Sequence, residues 1–431
     1  MKSTAGFIVL GGAALALIAA DTLPRPSDLT VHEWGTFTSV AGEDGSAIDW
    51  EAQSGSNDLP SFVNNRYLCF KSSLTATVRM ETPVLYFYSP REVTASVKVD
   101  FPHGVITEWY PKADNAIYES KSLMDRTGPA TSYALYPHDA VVQTRSLVDP
   151  PPAGLDSQLV RLSPSLNGLD ISMRNLMGAI AWNEIKIQPG STADFPVEKS
   201  PSRYYAARGT DAAPITAGDQ HEKFLFYRGV GRIPVPLSAR VAGDGRVTVE
   251  NHGPDDVPSA ILFENRGGRL GYRNAGDLFN QNVVTLDAPS LDGSLPELRH
   301  DLETALVSQG LFPKEAQAMV ETWRDSWFEE GSRLIYIVPA HAIDAMLPLQ
   351  VDPAPSQMTR VFVGRIELVT AETKRVVAEA FARKDWPVAA RYGRFLDPIL
   401  ERISAESPLM AKQVQQYRGE IPSSIGAGPC R

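Results

Sequence analysis

The chain has 431 residues, a formal net charge of −10, 43% hydrophobic and 21% charged residues. That is an ordinary globular composition. An acidic balance without a concentrated run of Lys and Arg disfavours a nucleic-acid role, which needs phosphate neutralisation. Two cysteines, Cys69 and Cys430, form neither a haem-attachment nor a zinc-type pattern.

Met1-Lys2 is followed by an apolar run, residues 5–20, and then by the polar, Pro-rich DTLPRPSD. One positive charge, a short apolar core and small residues before a polar break read as a Sec-type signal peptide over residues 1–20. The alternative is a retained membrane anchor, but the run carries Gly6, Gly11 and Gly12 and is short for a span of about 20 residues. No later stretch is long and apolar enough to span, so the mature chain is expected to be soluble, in the periplasm or outside the cell. That setting would permit a Cys69–Cys430 disulfide; the alternative is a buried Cys69 in YLCF and a free thiol at Cys430.

Residues 31–40, VHEWGTFTSV, are the first strand. Period-2 geometry places His32, Trp34, Thr36 and Thr38 on one face and Glu33, Gly35 and Phe37 on the other. Residues 42–46, GEDGS, are a turn, and residues 49–65 a long polar loop. Residues 75–88 are rich in β-formers and interrupted by Pro83, which suggests an edge or a bulge. Val93, Ala95, Val97, Val99 and Phe101 alternate with polar residues, the pattern of an antiparallel strand buried on one face. Residues 105–110 pair back, Pro150–Pro152 are a rigid break, and residues 159–162, 184–187 and 203–207 are further short strands. A second β set opens at EKFLFYRG from Glu222. Residues 237–241 and 246–250 form a hairpin through Asp244-Gly245; residues 259–264 and 271–273 continue the set.

Residues 295–309 and 313–330 are two helices forming a hairpin. In the second, Pro313 suits the first helical position, and Ala316, Met319, Val320, Trp323 and Trp327 make one apolar stripe. Glu321, Asp325 and Glu329 point away from that stripe and read as its solvated face. Glu330 lies close to the stripe, so its carboxylate is expected to be partly buried against Arg333 or Arg324. Residues 334–338 and 358–369 return to strand and are expected to rejoin the second sheet. Helices resume at 372–383, 387–403 and 408–417.

The expected fold is therefore mainly β with α additions: two antiparallel β-sandwich-like units, an inserted helical hairpin and a helical C-terminal tail. The boundaries are residues 21–208 for the first unit, 209–370 for the second with the hairpin at 295–330, and 371–431 for the helical segment. Length alone suggests two or three domains of about 150 residues.

The chain has no Gly-x-Ser-x-Gly elbow, His-Glu-x-x-His, Walker loop or EF-hand pattern. Gly229-Val230-Gly231 lacks the third glycine of the dinucleotide fingerprint, so neither a cofactor nor a metal is expected. The most unusual cluster is His32-Glu33-Trp34, echoed by Glu108-Trp109-Tyr110. His beside a carboxylate can move a proton, and an aromatic ring can hold a sugar or apolar group. Adjacent strand residues face opposite ways, so His32 and Trp34 can share a pocket while Glu33 cannot. Catalytic candidates are His32, Glu33, Glu108 and Glu330; ligand-binding candidates are Trp34, Trp109 and Tyr110. A hydrolytic site would bring Glu33, Glu81, Glu108, Glu264 and Glu330 around one concavity.

HEWGTFTSVAGEDG, METPVLYFYSP and ETWRDSWFEEGSRLIYIVP resemble segments of a group of uncharacterised exported bacterial proteins. The resemblance covers most of the mature chain and implies one inherited architecture and a bacterial envelope setting. It transfers no activity. Three functional readings follow. The first is a non-enzymatic binding or accessory protein for a glycan or protein partner. The second is an exported hydrolase of a saccharide or ester using acidic residues and His32. The third is a structural assembly subunit, with stoichiometry left open.

Overall fold

The computed structural model describes residues 27–53, 58–65, 75–120, 131–135, 142–146 and 176–420. The signal segment, Cys69, Cys430, the 150–152 break and the 159–162 strand lie outside the described residues.

The organising element is a nine-stranded sheet. Its order is Arg269–Leu278, Val257–Arg266, Gly331–Val338, Pro355–Leu368, Ser27–Val40, Val78–Tyr88, Leu225–Gly231, Gly104–Tyr110 and Asn64–Asn65. Gly331–Val338 and Gly104–Tyr110 are buried along their whole length, and Val78–Tyr88 along nearly all of it. Strands of that kind belong to a sheet covered on both faces. The mainly-β fold with added helices is as expected, but two features depart from the reading. Ser27–Val40 pairs with Pro355–Leu368 in parallel, whereas antiparallel pairing was expected throughout. The expected boundary at residue 208 also runs through this sheet: Leu225–Gly231 lies between Val78–Tyr88 and Gly104–Tyr110. Hydrophobic pattern sets which face a strand buries, not which strand it neighbours.

One face of the sheet packs against a second sheet containing Val93–Pro102, Leu176–Ile187 and Ile215–Ala217. Leu29, Val31 and Phe37 of the first strand meet Val97, Val99, Phe101, Ile180 and Trp182 there. A small three-stranded sheet, Leu237–Val241, Val247–Asn251 and Val283–Leu286, adds Leu237, Ala239, Val247 and Val249 to the same core. The opposite face carries the helices. Under the hairpin Leu295–Ser308 and Pro313–Trp327, Trp34, Val84, Phe226 and Ile335 meet Leu298, Leu302, Met319, Trp323 and Trp327. Beside it, the C-terminal helices from Ala371 onward bury Val377, Phe381, Phe395 and Leu400 against Val40, Val105 and Val230. The hairpin is inserted as expected, leaving after Val283–Leu286 and returning as Gly331–Val338.

The second hairpin helix stops at Trp327, three residues before the expected Glu330. Arg333 is the physical reason: its guanidinium donates to the carbonyls of Trp327, Glu329 and Glu330 at 2.9, 2.7 and 2.8 Å. A cation on these final carbonyls completes the helix end, and Gly331, at φ 117°, turns the chain into the next strand.

Candidate functional site

The helix-covered face of the sheet holds a polar seam between its two apolar cores. Read across the strands, its sheet residues are Arg333, Glu367, Arg365, Thr38, Arg79, Glu81, Arg228 and Glu108. None of the charged ones is more than 6% exposed. Charges taken so far from water must be paired, and here each arginine has a carboxylate beside it. Arg333 Nε donates to Glu367 Oε2 at 3.0 Å. Arg365 Nη2 donates to the same oxygen at 3.0 Å and to Glu329 Oε1 at 2.7 Å. Thr38 donates to Glu81 Oε1 at 2.7 Å. Arg228 stands opposite Glu108 in the ladder, and Thr107 donates to that carboxylate.

Each covering segment sends a group into the seam. Ser326, at the end of the hairpin helix, accepts at Oγ from Arg365 at 2.9 Å and from Arg394 at 2.7 Å. Arg394, from the C-terminal helices, also donates to Glu81 Oε2 at 2.7 Å. Asp58 accepts from Arg228 at 2.9 Å and from Arg203 at 3.3 Å. Burial alone would raise the Glu81 carboxyl, but Arg394, Arg79 and Arg228 outweigh it and hold it at about 2. Burial likewise opposes ionisation of Asp58, and Arg228 overrides it, holding the carboxyl below the usual range. Carboxylates held ionised in this way cannot deliver a proton at neutral pH. The arrangement binds three covering segments to one sheet.

The catalytic candidates do not meet. His32 and Glu33 point to opposite faces, as expected. His32 is fully buried, with Nδ1 2.8 Å from Glu315 Oε2. Glu315 also accepts from Tyr88 OH at 2.8 Å and, as the capping residue of its helix, from the Phe312 backbone N–H at 2.8 Å. Burial, and then the Glu315 charge, push the Tyr88 hydroxyl well up, so it remains a donor. On the other face, Glu33 accepts from Arg360 Nε at 2.6 Å and from Tyr227 OH. Arg360 reaches on to Asp344 at 2.8 Å. Glu108 is separated from the His32 strand by the two strands Val78–Tyr88 and Leu225–Gly231. Glu330 lies beyond its helix and accepts from the Gly267 N–H at 2.8 and 3.0 Å; Arg333 takes its carbonyl, not its carboxylate. Glu264 pairs with Arg266. Of the five glutamates expected around one concavity, Glu81 and Glu108 share the seam, while Glu33, Glu264 and Glu330 lie elsewhere, because strand alternation and helix termination send them to other faces and edges.

Of the aromatic candidates, Trp34 and Tyr110 belong to the core under the hairpin and Trp109 to the core on the opposite face. Their exposures are 0, 3 and 1%. Of the face expected to be solvated, Asp325 is exposed and Glu321 pairs with Arg299 at 2.7 Å. Glu329 departs from that reading: it lies past the helix end and takes the buried Arg365. Of the seam arginines, sequence reasoning named only Arg333, and as a partner of Glu330 where the structure gives it Glu367. Their signal was a single Arg inside an otherwise apolar strand, as in GSRLIYIV, VFVGRIEL and LFYRGVG, where a buried counter-charge is obligatory. Among the described residues, no three His, Cys, Asp or Glu side chains converge as a metal-holding group, and no helix is long and apolar enough to cross a membrane.

No family model and no curated protein matches the chain. Among solved structures, the yeast delta-COP-I mu-homology domain complexed with the Dsl1 WxWxV peptide aligns at 8% identity. That alignment covers 80% of this chain and 98% of that one, with a TM-score of 0.23. The yeast domain described without the peptide aligns over the same shares at 8% identity and a TM-score of 0.24. A beta-glucuronidase from glycoside hydrolase family 2 aligns at 6% identity over 80% of this chain and 31% of its own, with a TM-score of 0.13. Scores this low do not amount to a shared fold, and nothing about function is taken from them.

Proposed function

We propose that the protein is exported to the bacterial periplasm or the cell exterior and acts there as an accessory protein binding a protein partner. The observation that carries the reading is the fate of the ionisable candidates. His32, Glu33 and Glu108 are at most 3% exposed and committed to internal partners. They hold helix to sheet and strand to strand, and substrate has no access to them. A glycan partner has less support, because Trp34, Trp109 and Tyr110 are core residues and offer no ring face on which a sugar could stack.

Export rests on the leader-like residues 1–20. Intact mass of the native protein from the envelope fraction should place the mature N-terminus near Asp21, and a retained Met1 would overturn export. Crosslinking in intact cells should give one discrete adduct heavier than this chain, with no co-sedimentation on purified wall glycan. An adduct whose mass is a multiple of this chain favours the assembly-subunit reading instead. A hydrolase screen in which turnover collapses with His32→Ala or Glu108→Gln in folded protein would refute the structural assignment of those residues.

A further inference from the structure

The small three-stranded sheet carries a second polar arrangement, apart from the seam. Ser238 lies in Leu237–Val241 directly opposite Glu250 of Val247–Asn251. His252 follows that strand, and its backbone N–H donates to the Pro236 carbonyl at 2.9 Å, holding the residue beside the strand that carries Ser238. The imidazole Nε2 is 2.8 Å from Ser238 Oγ. Its Nδ1 is 3.5 Å from Glu250 Oε1. A hydroxyl hydrogen-bonded to an imidazole, with a carboxylate near the other ring nitrogen, supplies the parts of an activated nucleophile. In the tautomer that carries its proton on Nδ1, Nε2 accepts from the Ser238 hydroxyl.

Ser238 and His252 line a cavity of about 500 Å³, together with Thr77, His103 and Arg232. That volume is in the range of small-molecule sites. Arg232 holds Asp49 through Nη2 at 2.8 Å, while its Nε is buried without a partner. The cavity therefore combines a nucleophile–base pair with a guanidinium that lines its wall and is 23% exposed at its side chain. Ser238 sits within a strand and not in a Gly-x-Ser-x-Gly turn, so no sequence pattern marks it.

We propose that Ser238, His252 and Glu250 form a serine-dependent hydrolytic site for small esters with an anionic acid portion, which Arg232 binds. Ser238 Oγ attacks the ester carbonyl carbon as its proton passes to His252 Nε2. The carbon–oxygen bond to the alcohol breaks, and the leaving oxygen takes that proton. Water then attacks the acyl-serine, giving a proton to His252. The acid leaves, and Ser238 recovers its hydrogen. Glu250 orients the ring and offsets its transient charge. This activity goes beyond the binding reading and is independent of it.

The test uses the full chain with a fluorophosphonate probe and two p-nitrophenyl esters, neutral acetate and anionic succinate. One adduct is expected, located on Ser238 by peptide mass and absent in Ser238→Ala. His252→Gln should slow labelling and turnover by about 100-fold, the scale of a lost general base. Glu250 and His252 are about half exposed, so water screens their coupling and Glu250→Gln should cost only about 2- to 5-fold. Arg232→Met should raise KM for the succinate ester about 10-fold more than for the acetate ester, the cost of a lost charge-assisted hydrogen bond. Circular dichroism matching the unaltered chain controls for folding. No adduct, an adduct on another residue, or undiminished hydrolysis by Ser238→Ala overturns the proposal. Hydrolysis lost with Ser238→Ala but intact in His32→Ala separates this site from any activity at the seam or the His32 cluster.

Discussion

Arg394 donates to Glu81 at 2.7 Å across 313 positions of the chain. One residue belongs to the C-terminal helices and the other to a central strand, so the bond fastens the helical segment to the sheet. Removing Glu81 leaves Arg79 and Arg394 facing one another without their counter-charge. Glu81→Ala should therefore cost about 3–5 kcal/mol, as for a broken buried pair. Arg394 is 13% exposed at its side chain and can turn to water, so Arg394→Ala should cost less, about 1–3 kcal/mol. Urea denaturation measures both. In Arg394→Ala, amide exchange should quicken in Leu396–Glu406 before it does in Gly331–Val338.

The same carboxylate sets an acid limit. In the unfolded chain Glu81 titrates at its ordinary value of 4.5, and the surrounding arginines hold it at about 2 in the fold. A depressed folded value contributes stability that is complete above pH 4.5 and is lost as pH falls toward 2. Asp58, also held low by Arg228, acts with the same sign. Urea midpoints should be similar at pH 7 and 5.5 and fall steeply below pH 4.5. Glu81 supplies on the order of 3 kcal/mol of that fall. Glu81→Gln should begin less stable and show a shallower acid limb; an unchanged slope would remove Glu81 from the explanation.

What could be read beforehand was local. Alternation in VHEWGTFTSV is enough to separate His32 from Glu33, and the Ala316–Trp327 stripe is enough to place a helix on an apolar surface. The parallel pairing of Ser27–Val40 with Pro355–Leu368 has no local cause, since a strand's pattern carries no address for its partner. The seam was illegible for the same reason: Arg394 and Glu81 are unremarkable surface-type residues until the fold brings them together. Arg333 and Arg365 did carry a sign, an isolated cation in an apolar strand. It announces that a carboxylate must arrive without saying which one.

Gly364 tests the packing beneath the seam. It stands opposite Tyr336 in the ladder, and a Cβ there would lie 2.1 Å from Tyr336 Cζ. Both neighbours are interior strands, so the ring has little room to withdraw. Gly364→Ala should cost about 2–3 kcal/mol through overpacking. Tyr336→Ala alone should cost about 3–5 kcal/mol through the cavity it leaves. Combined, they should be less destabilising than their sum by at least about 1 kcal/mol, because the added methyl enters vacated space. Additive losses in a double-mutant cycle would show that the clash is relieved elsewhere.

The His32–Glu315 pair distinguishes a structural imidazole from a chemical one. Glu315 satisfies His32, Tyr88 and the Phe312 N–H together, so Glu315→Ala strips partners from three donors and a helix cap. That should cost about 2–4 kcal/mol. His32 is in a different position: its Nε2 is buried with no partner, and its ring packs 4.5 Å from the Phe312 ring. His32→Phe keeps the ring contact and removes an unsatisfied nitrogen, offsetting part of the lost bond to Glu315. It should cost about 1 kcal/mol or less, well below Glu315→Ala, by urea denaturation. The reverse order would mean that the imidazole holds more of the fold than its one hydrogen bond accounts for.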